Sequence, residues 1–258
     1  VQYPGSSGRL GDLATIAEAV HAAGGIVVAA TDLLASVLLE PVGALGADIA
    51  VGSAQRFGVP MAFGGPHAGF IAVREDHVRA LPGRLVGVAK DPAGRTGYRL
   101  SLQTREQHIR RERATSNVCT AQVLLAVVAA LYAQWHGPEG LAVIAHRVHE
   151  LTGRLVAGLE KIEGVEVENE TFFDTLTVRC SADTVMAAAL ERGINLRRVD
   201  DSRVGISIDE TSSPTVVSGV LAAFGGGESD EGAADGIPSD RRRTTAVLEH
   251  PLFHRFQP

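Results

Sequence analysis

The first third of the chain alternates between helical and strand-like patterns of apolar residues. Over Leu13–Ala23 the apolar residues recur at the spacing of an amphipathic helix, and Asp12 precedes them in the N-cap position. A glycine pair ends that helix, and an apolar run of buried-strand length follows at Ile26–Ala30. The same patterns predict a helical turn at Leu33–Leu39 and strands at Asp48–Val51 and Phe70–Val73. This alternation predicts an α/β domain with a largely parallel sheet.

The middle of the chain is predicted to contain two long helices. One spans about Thr120 to His136, and a Gly-Pro pair stops it; the second spans Leu141 to about Ile162. The segment before them, Arg74–Leu100, is polar and rich in turn residues. We therefore expect the carboxyl-terminal part of a large domain over residues 1–118, followed by long connecting helices over 119–163.

The last third has shorter elements in the order β-β-α-β-β-α. The predicted strands are Val165–Glu168, Leu176–Arg179, Ile194–Arg198 and Val204–Ile208, and the predicted helices are Ala182–Arg192 and Ser213–Ala223. This order fits a small α+β domain over 164–224. The acidic, glycine-rich stretch that begins at Gly225 predicts a flexible linker, so 225–258 is expected to be linker and tail with little core of its own.

Composition and charge exclude several classes of protein. A formal net charge of −6 argues against a general nucleic-acid binder. The longest purely apolar stretch, Val123–Leu131, is far shorter than the ~20 residues that span a bilayer. Two cysteines, Cys119 and Cys180, cannot form a disulfide framework and fit a reducing compartment. The chain has no recognisable signal peptide and begins with Val1, which we interpret as a fragment or a processed product.

Common catalytic and binding motifs give little support to other chemistries. The sequence has neither G-x-S-x-G nor H-E-x-x-H, so a serine hydrolase is unsupported and no metal site is predicted. The loop Gly64–His67 matches no nucleotide-binding pattern, and a tight turn is favoured there over a phosphate cradle.

Three places in the sequence could carry chemistry or contact a partner. Asp32 directly follows a strand, where it is either a helix N-cap or a carboxylate that pairs with a protonated ring nitrogen. The charged run Arg105–Arg113 is either a solvated face or an interface. Thr115, Ser116 and Asn117 precede a helix, where they can cap it or contact a phosphate.

The chain is poor in lysine, which limits any chemistry that needs an amine. Lys90 and Lys161 are the two lysines, and both lie in polar surroundings typical of solvated surface amines. A Schiff-base lysine needs an environment that lowers its pKa, and neither local sequence provides one. The strand Asp48–Val51 and the following glycine-rich loop have the layout of a pyridoxal-phosphate site, yet no lysine lies between them.

Two long motifs resemble a known family. They are VGSAQRFGVPMAFGGPHAGF over Val51–Phe70 and LQTREQHIRRERATSNVCTAQ over Leu102–Gln122. Shorter stretches resemble the same family: Gln2–Gly5, Phe173–Leu176, Val204–Thr211 and Arg243–Phe253. Together they resemble the amino-terminal half of the glycine decarboxylase P-protein of the glycine cleavage system, over nearly the whole chain.

The resemblance implies a fold and a division of labour. It implies the aspartate-aminotransferase-like fold (fold type I) of pyridoxal-phosphate enzymes, built as two homologous halves that are fused or separate. Gln55 stands where the other half carries the Schiff-base lysine. Asp32 matches the carboxylate that pairs with the pyridine nitrogen, and its role here is then vestigial. Arg56 and His67 lie in the same motif without an assigned role.

The resemblance also implies a reaction and partners. The enzyme would be glycine dehydrogenase (aminomethyl-transferring), which decarboxylates glycine and passes its aminomethyl group to the lipoyl arm of the H-protein. The lysine-bearing half would hold pyridoxal 5′-phosphate, and Thr115, Ser116 and Asn117 would reach its phosphate. The location implied is cytoplasmic in a bacterium and mitochondrial in a eukaryote.

Two alternatives remain beside this interpretation. The chain could be a non-catalytic structural subunit that completes the site of a partner. It could also belong to another fold-type-I enzyme, such as a relative of desulfurases or aldolases, which the missing lysine disfavours.

Overall fold

The first sheet has four strands, of which three are parallel. The structure is a computed structural model that describes residues 1–82, 85–102, 106–114, 121–227 and 232–256. The sheet order is β1-β2-β3-β4; β4 is antiparallel to β3. The strands are β1 (Gln2–Tyr3), β2 (Val28–Thr31), β3 (Ile49–Ser53) and β4 (Gly69–Val73).

The helices of this first part begin where the sequence predicts. Helix α1 (Leu13–Ala22) starts at Asp12, whose carboxylate accepts a hydrogen bond from the Thr15 N–H. Helix α2 (Ala35–Leu38) is a single turn in the predicted segment, with buried Ala35 and Leu38. The connection from β2 to β3 contains α2, and a crossover of this kind allows the two strands to run parallel.

A β-hairpin follows the first sheet, and the sequence did not reveal it. Strands β5 (Leu85–Lys90) and β6 (Thr96–Ser101) pair antiparallel in the segment predicted only as polar and turn-rich. A turn at Asp91–Arg95 joins them, with the Asp91 carboxylate accepting from the Ala93 and Arg95 N–H groups. Lys90 therefore ends a strand, whereas the sequence placed it in a loop.

The structure contains the predicted pair of long helices, which meet at a kink at Gly137. After the short helix α3 (Gln107–Arg110), α4 spans Ala121–Leu159 and is interrupted at Gly137, whose φ of 59° and ψ of −173° are not helical. The second part buries Leu151, Leu155 and Leu159 on one face, as the sequence predicts. That face packs against both sheets.

The second sheet is antiparallel, in the order β7-β8-β10-β9, with two helices against it. Its strands are β7 (Glu166–Val167), β8 (Thr175–Arg179), β9 (Arg197–Asp200) and β10 (Arg203–Ser207), and its helices are α5 (Ala182–Glu191) and α6 (Pro214–Ala223). The β-β-α-β-β-α order is the predicted one. We refer to the first sheet with α1 and α2 as the large domain, and to the second sheet with α5 and α6 as the small domain.

Residues 232–256 differ from the flexible linker and tail expected from Gly225 onward. Ile237 is buried in the core that the two domains share. The Arg241 guanidinium donates to the carbonyls of Leu10 and Gly11, and Arg242 forms a β-bridge with Leu39. The arginines supply donors for backbone carbonyls of the large domain, so this polar segment is held by hydrogen bonds that its composition does not indicate.

None of the described helices is long and apolar enough to cross a membrane.

Candidate functional site

The ends of three parallel strands open onto one cavity between the two domains. The loop after β1, Asp32 after β2, and Gln55 with Arg56 after β3 lie along the same edge of the sheet. The opposite wall comes from the small domain and includes Asp174, Asp209 and Glu210. The cavity has a volume of about 730 Å³. This is the edge at which open α/β sheets bind ligands.

Gly52 allows the strands at this edge to pack closely. A Cβ at that position would lie 2.4 Å from the Thr31 carbonyl oxygen and 2.6 Å from the Phe70 ring. Only glycine fits between these neighbours.

Arg56 lies at the centre of the cavity wall and contacts three carboxylates. Its Nη1 is 3.0 Å from Asp32 Oδ2 and 2.5 Å from Asp174 Oδ2. Its Nε and Nη2 face the two oxygens of Glu210, at 3.0 and 3.4 Å. Arg56 also lies over the Phe173 ring, 5.7 Å from its centroid. The guanidinium is therefore engaged on every nitrogen.

The three carboxylates are themselves held in place. Asp32 Oδ1 accepts from the N–H of Ala35, the first residue of α2, at 2.7 Å, while its Oδ2 pairs with Arg56. Asp174 Oδ1 accepts from the Thr175 hydroxyl at 2.9 Å. The Arg147 guanidinium fixes the Glu210 loop through the Glu210 and Ser212 carbonyls. The arginine thus meets a prearranged set of acceptors.

Burial and charge shift the protonation of this group in predictable directions. Burial raises the pKa of Asp174, and the facing Arg56 only partly offsets this. For Arg56, burial acts to lower the pKa, but Asp32, Asp174 and Glu210 outweigh it, so the pKa is raised. Arg56 therefore stays a cation at every accessible pH.

Gln55, which the sequence resemblance predicts to stand at the position of a Schiff-base lysine, lines the same cavity. Its Oε1 lies 3.0 Å from His67 Nδ1 in the glycine-rich loop. Its Nε2 is buried and has no hydrogen-bond partner within the described residues. The loop that contains His67 turns tightly through Gly64 and Gly65, both at positive φ, as the sequence favours.

The described residues do not fit a covalently held pyridoxal phosphate in this cavity. No lysine lines it, since Lys90 ends β5 and Lys161 follows α4. The arginine that could bind a phosphate is already paired with carboxylates. Asp32, Asp174, Asp209 and Glu210 would repel a phosphate. No step through the coenzyme is therefore assigned to this cavity.

Several predicted positions lie apart from the cavity. Thr115, Ser116 and Asn117 are outside the described residues, as are Arg105 and Cys119. Of the charged run, Glu106 is buried, while 107–113 is exposed. Cys180 is a buried residue, as the sequence predicts, and burial raises the pKa of its thiol. The described residues contain no group of three His, Cys, Asp or Glu arranged for a metal ion.

Sequence reasoning missed the grouping around Arg56. Asp174 and Glu210 were part of motifs that resemble the family, but no role was assigned to either. Asp174 precedes β8 and Glu210 follows β10, and this position near strand ends could have marked both as candidate site residues.

A mostly parallel sheet with a small α+β domain beside it defines the class of this protein: it has the fold of pyridoxal-phosphate enzymes of fold type I. Solved structures of NifS-like proteins have the same fold; one from Rickettsia africae ESF-5 superposes with a TM-score of 0.55 at 16% identity, covering 84% of this chain and 57% of that one. At that identity the likeness concerns the fold alone.

The family follows from closer matches. The family model described as glycine cleavage system P-protein matches residues 1–224, so the chain belongs to this family. A crystal structure of glycine decarboxylase (P-protein) of the glycine cleavage system, in inhibitor-bound form, superposes with a TM-score of 0.80 at 39% identity, over 87% of this chain and 53% of that one.

Curated relatives agree and are much longer than this chain. A glycine dehydrogenase (decarboxylating) of Gluconobacter oxydans is 53% identical over 98% of this chain, and one of Cupriavidus metallidurans is 54% identical over 98%. The chain spans 28% and 27% of the length of these two relatives.

Proposed function

We propose that the chain is part of a glycine decarboxylase and belongs to the half that lacks the Schiff-base lysine. The complete enzyme would use pyridoxal 5′-phosphate to decarboxylate glycine and would transfer the aminomethyl group to the lipoyl arm of the H-protein. Membership of the P-protein family supports this activity, and the relatives named glycine dehydrogenase (decarboxylating) contain a segment that matches this chain.

The proposal that the other half holds the coenzyme rests on the residues that line the cleft. The resemblance to the family predicts that Gln55 stands at the position of the lysine, and Arg56 in the cleft is paired with three carboxylates. A segment of this kind does not hold the coenzyme, so a lysine-bearing half must. The role of this chain is then to complete the site of that half, with Thr115, Ser116 and Asn117 as the residues proposed to reach its phosphate.

The test is reconstitution of glycine–bicarbonate carboxyl exchange in the presence of the H-protein. The chain and a lysine-bearing half of a P-protein are assayed separately and together. We expect exchange only in the mixture, with coenzyme absorbance following the lysine-bearing half on gel filtration. Exchange by the lysine-bearing half alone at the same rate, or coenzyme that stays with this chain, would contradict the proposal.

A matched pair of variants then tests the phosphate contact. Replacing Thr115, Ser116 and Asn117 together by alanine is expected to weaken coenzyme retention in the mixture. The control is Thr184→Ala, a threonine at the exposed start of α5. Equal retention in the two variants would remove these three residues from the site.

A further inference from the structure

The group around Arg56 joins the two domains of the chain. Arg56 and Asp32 follow strands β3 and β2 of the large domain, whereas Asp174 and Glu210 adjoin strands β8 and β10 of the small domain. The contacts from Arg56 to Asp174 and Glu210 therefore cross the cleft, over sequence separations of 118 and 154 residues.

The geometry depends on a guanidinium rather than on positive charge alone. One edge of the planar group, Nε and Nη2, faces both oxygens of Glu210, while Nη1 reaches a carboxylate from each domain. A lysine ammonium is a single point charge and cannot present these directions together. Only the guanidinium of arginine directs several N–H donors in one plane at these carboxylates.

The ion pairs of Arg56 are costly to break because they are mostly buried. The side chains are mostly buried, with 19% of Arg56 and 15% of Asp174 exposed. Loss of Arg56 would leave the buried Asp174 carboxylate near Asp32 without its cation. Breaking a buried ion pair by removing one partner is strongly destabilising because the remaining charge stays desolvated.

We propose that Arg56 is an interdomain latch: a positioning residue that holds the small domain against the large domain. It supplies from the chain itself the positive charge that a bound cation would otherwise supply to these carboxylates. This role goes beyond the proposed function, because it concerns the position of two domains and requires neither coenzyme nor turnover.

Four variants of the chain, studied within the full-length enzyme, separate the latch from simple packing. Arg56→Met removes the charge at similar length, and Arg56→Lys keeps the charge but loses the fork. The triple variant R56M/D174N/E210Q removes the cation and two carboxylates together. Arg179→Met is the matched control, since Arg179 pairs with Glu166 and Glu168 inside the small domain.

Hydrogen exchange and thermal unfolding between pH 5 and 8 are the measurements. In R56M we expect roughly 10-fold faster exchange in 28–38 and 203–213, the two segments that face each other. We also expect Tm to fall by roughly 10 °C at pH 8. R56K should lie between R56M and the wild type in both measurements.

The pH dependence gives a signature that lost packing does not. Without Arg56 the folded-state pKa of Asp174 rises further above its unfolded value, so stability is lost as pH rises through it. The Tm deficit of R56M should therefore grow from pH 5 to pH 8, while that of R179M should not. The charged and titratable groups that face Asp174 or its partners are Arg56, Arg147, Asp32, Glu210 and Tyr132.

The triple variant decides between charge and shape, whether or not R56M folds. The latch predicts that R56M/D174N/E210Q recovers most of the Tm but keeps fast exchange in 28–38 and 203–213. The proposal is overturned if the triple variant is no more stable than R56M. It is also overturned if R56M exchanges like the wild type, or if its Tm deficit does not depend on pH.

Discussion

Arg56 and its neighbours determine what the cleft can accept. One guanidinium faces Asp32, Asp174 and Glu210, so the group carries more negative than positive charge. An anionic ligand would have to displace carboxylates that are already hydrogen-bonded in place. The cleft therefore differs from a coenzyme site by its charge as well as by the absence of a lysine.

This leads to a prediction for Gln55→Lys, which restores an amine at the expected position. We expect no borohydride-reducible coenzyme adduct above the wild-type level. The variant supplies an amine, but Arg56 remains paired with carboxylates and is not free to donate hydrogen bonds to the phosphate of the coenzyme. The measurement is mass spectrometry after incubation with pyridoxal phosphate and borohydride. A specific adduct at position 55, absent from the control Gln134→Lys, would show that the lysine alone was missing.

At the scale of single elements, two glycines determine the shape and packing of α4. Gly137 interrupts the helix at positive φ, where the sequence predicts a stop. Gly153 lies against the tail segment: a Cβ there would be 2.1 Å from the Ala234 carbonyl oxygen and 2.9 Å from its nitrogen. The Ala234 N–H in turn donates to the Gly153 carbonyl. Glycine at position 153 therefore allows the backbone around Ala234 to pack closely against the helix.

We predict that Gly153→Ala destabilises the chain by about 2 kcal/mol, despite the better helix propensity of alanine. The added methyl group would collide with backbone, which cannot move aside cheaply. The control is Gly219→Ala in α6, where the Cβ would meet only the end of the Ile194 side chain at 3.1 Å. Urea denaturation measures both. Equal stabilities for the two variants would mean that the tail does not pack on α4 as described.

The sequence predicts most helices and strands because their signals are local. The Asp12 cap, the apolar stripe of α1 and the β-β-α-β-β-α order all come from residues close in the chain. Hairpin β5–β6 was missed because its strands expose Val86, Val88 and Tyr98, so no apolar pattern marks a buried face. The packing of 232–243 was missed because it depends on arginine contacts to distant carbonyls.

The candidate site was predictable only in part, for the same reason. Asp32 and Gln55 follow strands, and this local position identifies them. Their grouping with Asp174 and Glu210 requires the two domains to be in place, because more than a hundred residues separate these carboxylates from Arg56. No local pattern encodes such a contact.

At the scale of the whole molecule, the two sheets share one core but one surface remains apolar. The first part of α4 exposes Leu124, Leu131 and Trp135, by 68%, 57% and 59%. A cavity of about 630 Å³ lies beside this stripe, lined by residues that include Tyr132 and Phe256. An exposed apolar stripe of this kind promotes association.

We therefore predict that the chain produced alone self-associates through this stripe. The double variant L124Q/L131Q should reduce the associated fraction by roughly half or more in light scattering. Leu190→Gln on α5 is the control, since Leu190 is 69% exposed but lies outside the stripe. A double variant that associates as strongly as the control would place the contact elsewhere.

The proposal that this chain holds no covalent coenzyme is tested most directly by mapping the attachment site. The full-length enzyme that contains the chain is reduced with borohydride, digested and analysed by mass spectrometry. We predict a pyridoxyl-modified lysine outside residues 1–258, with Lys90 and Lys161 unmodified at full coenzyme occupancy. A stoichiometric modification of either of these two lysines would contradict the account.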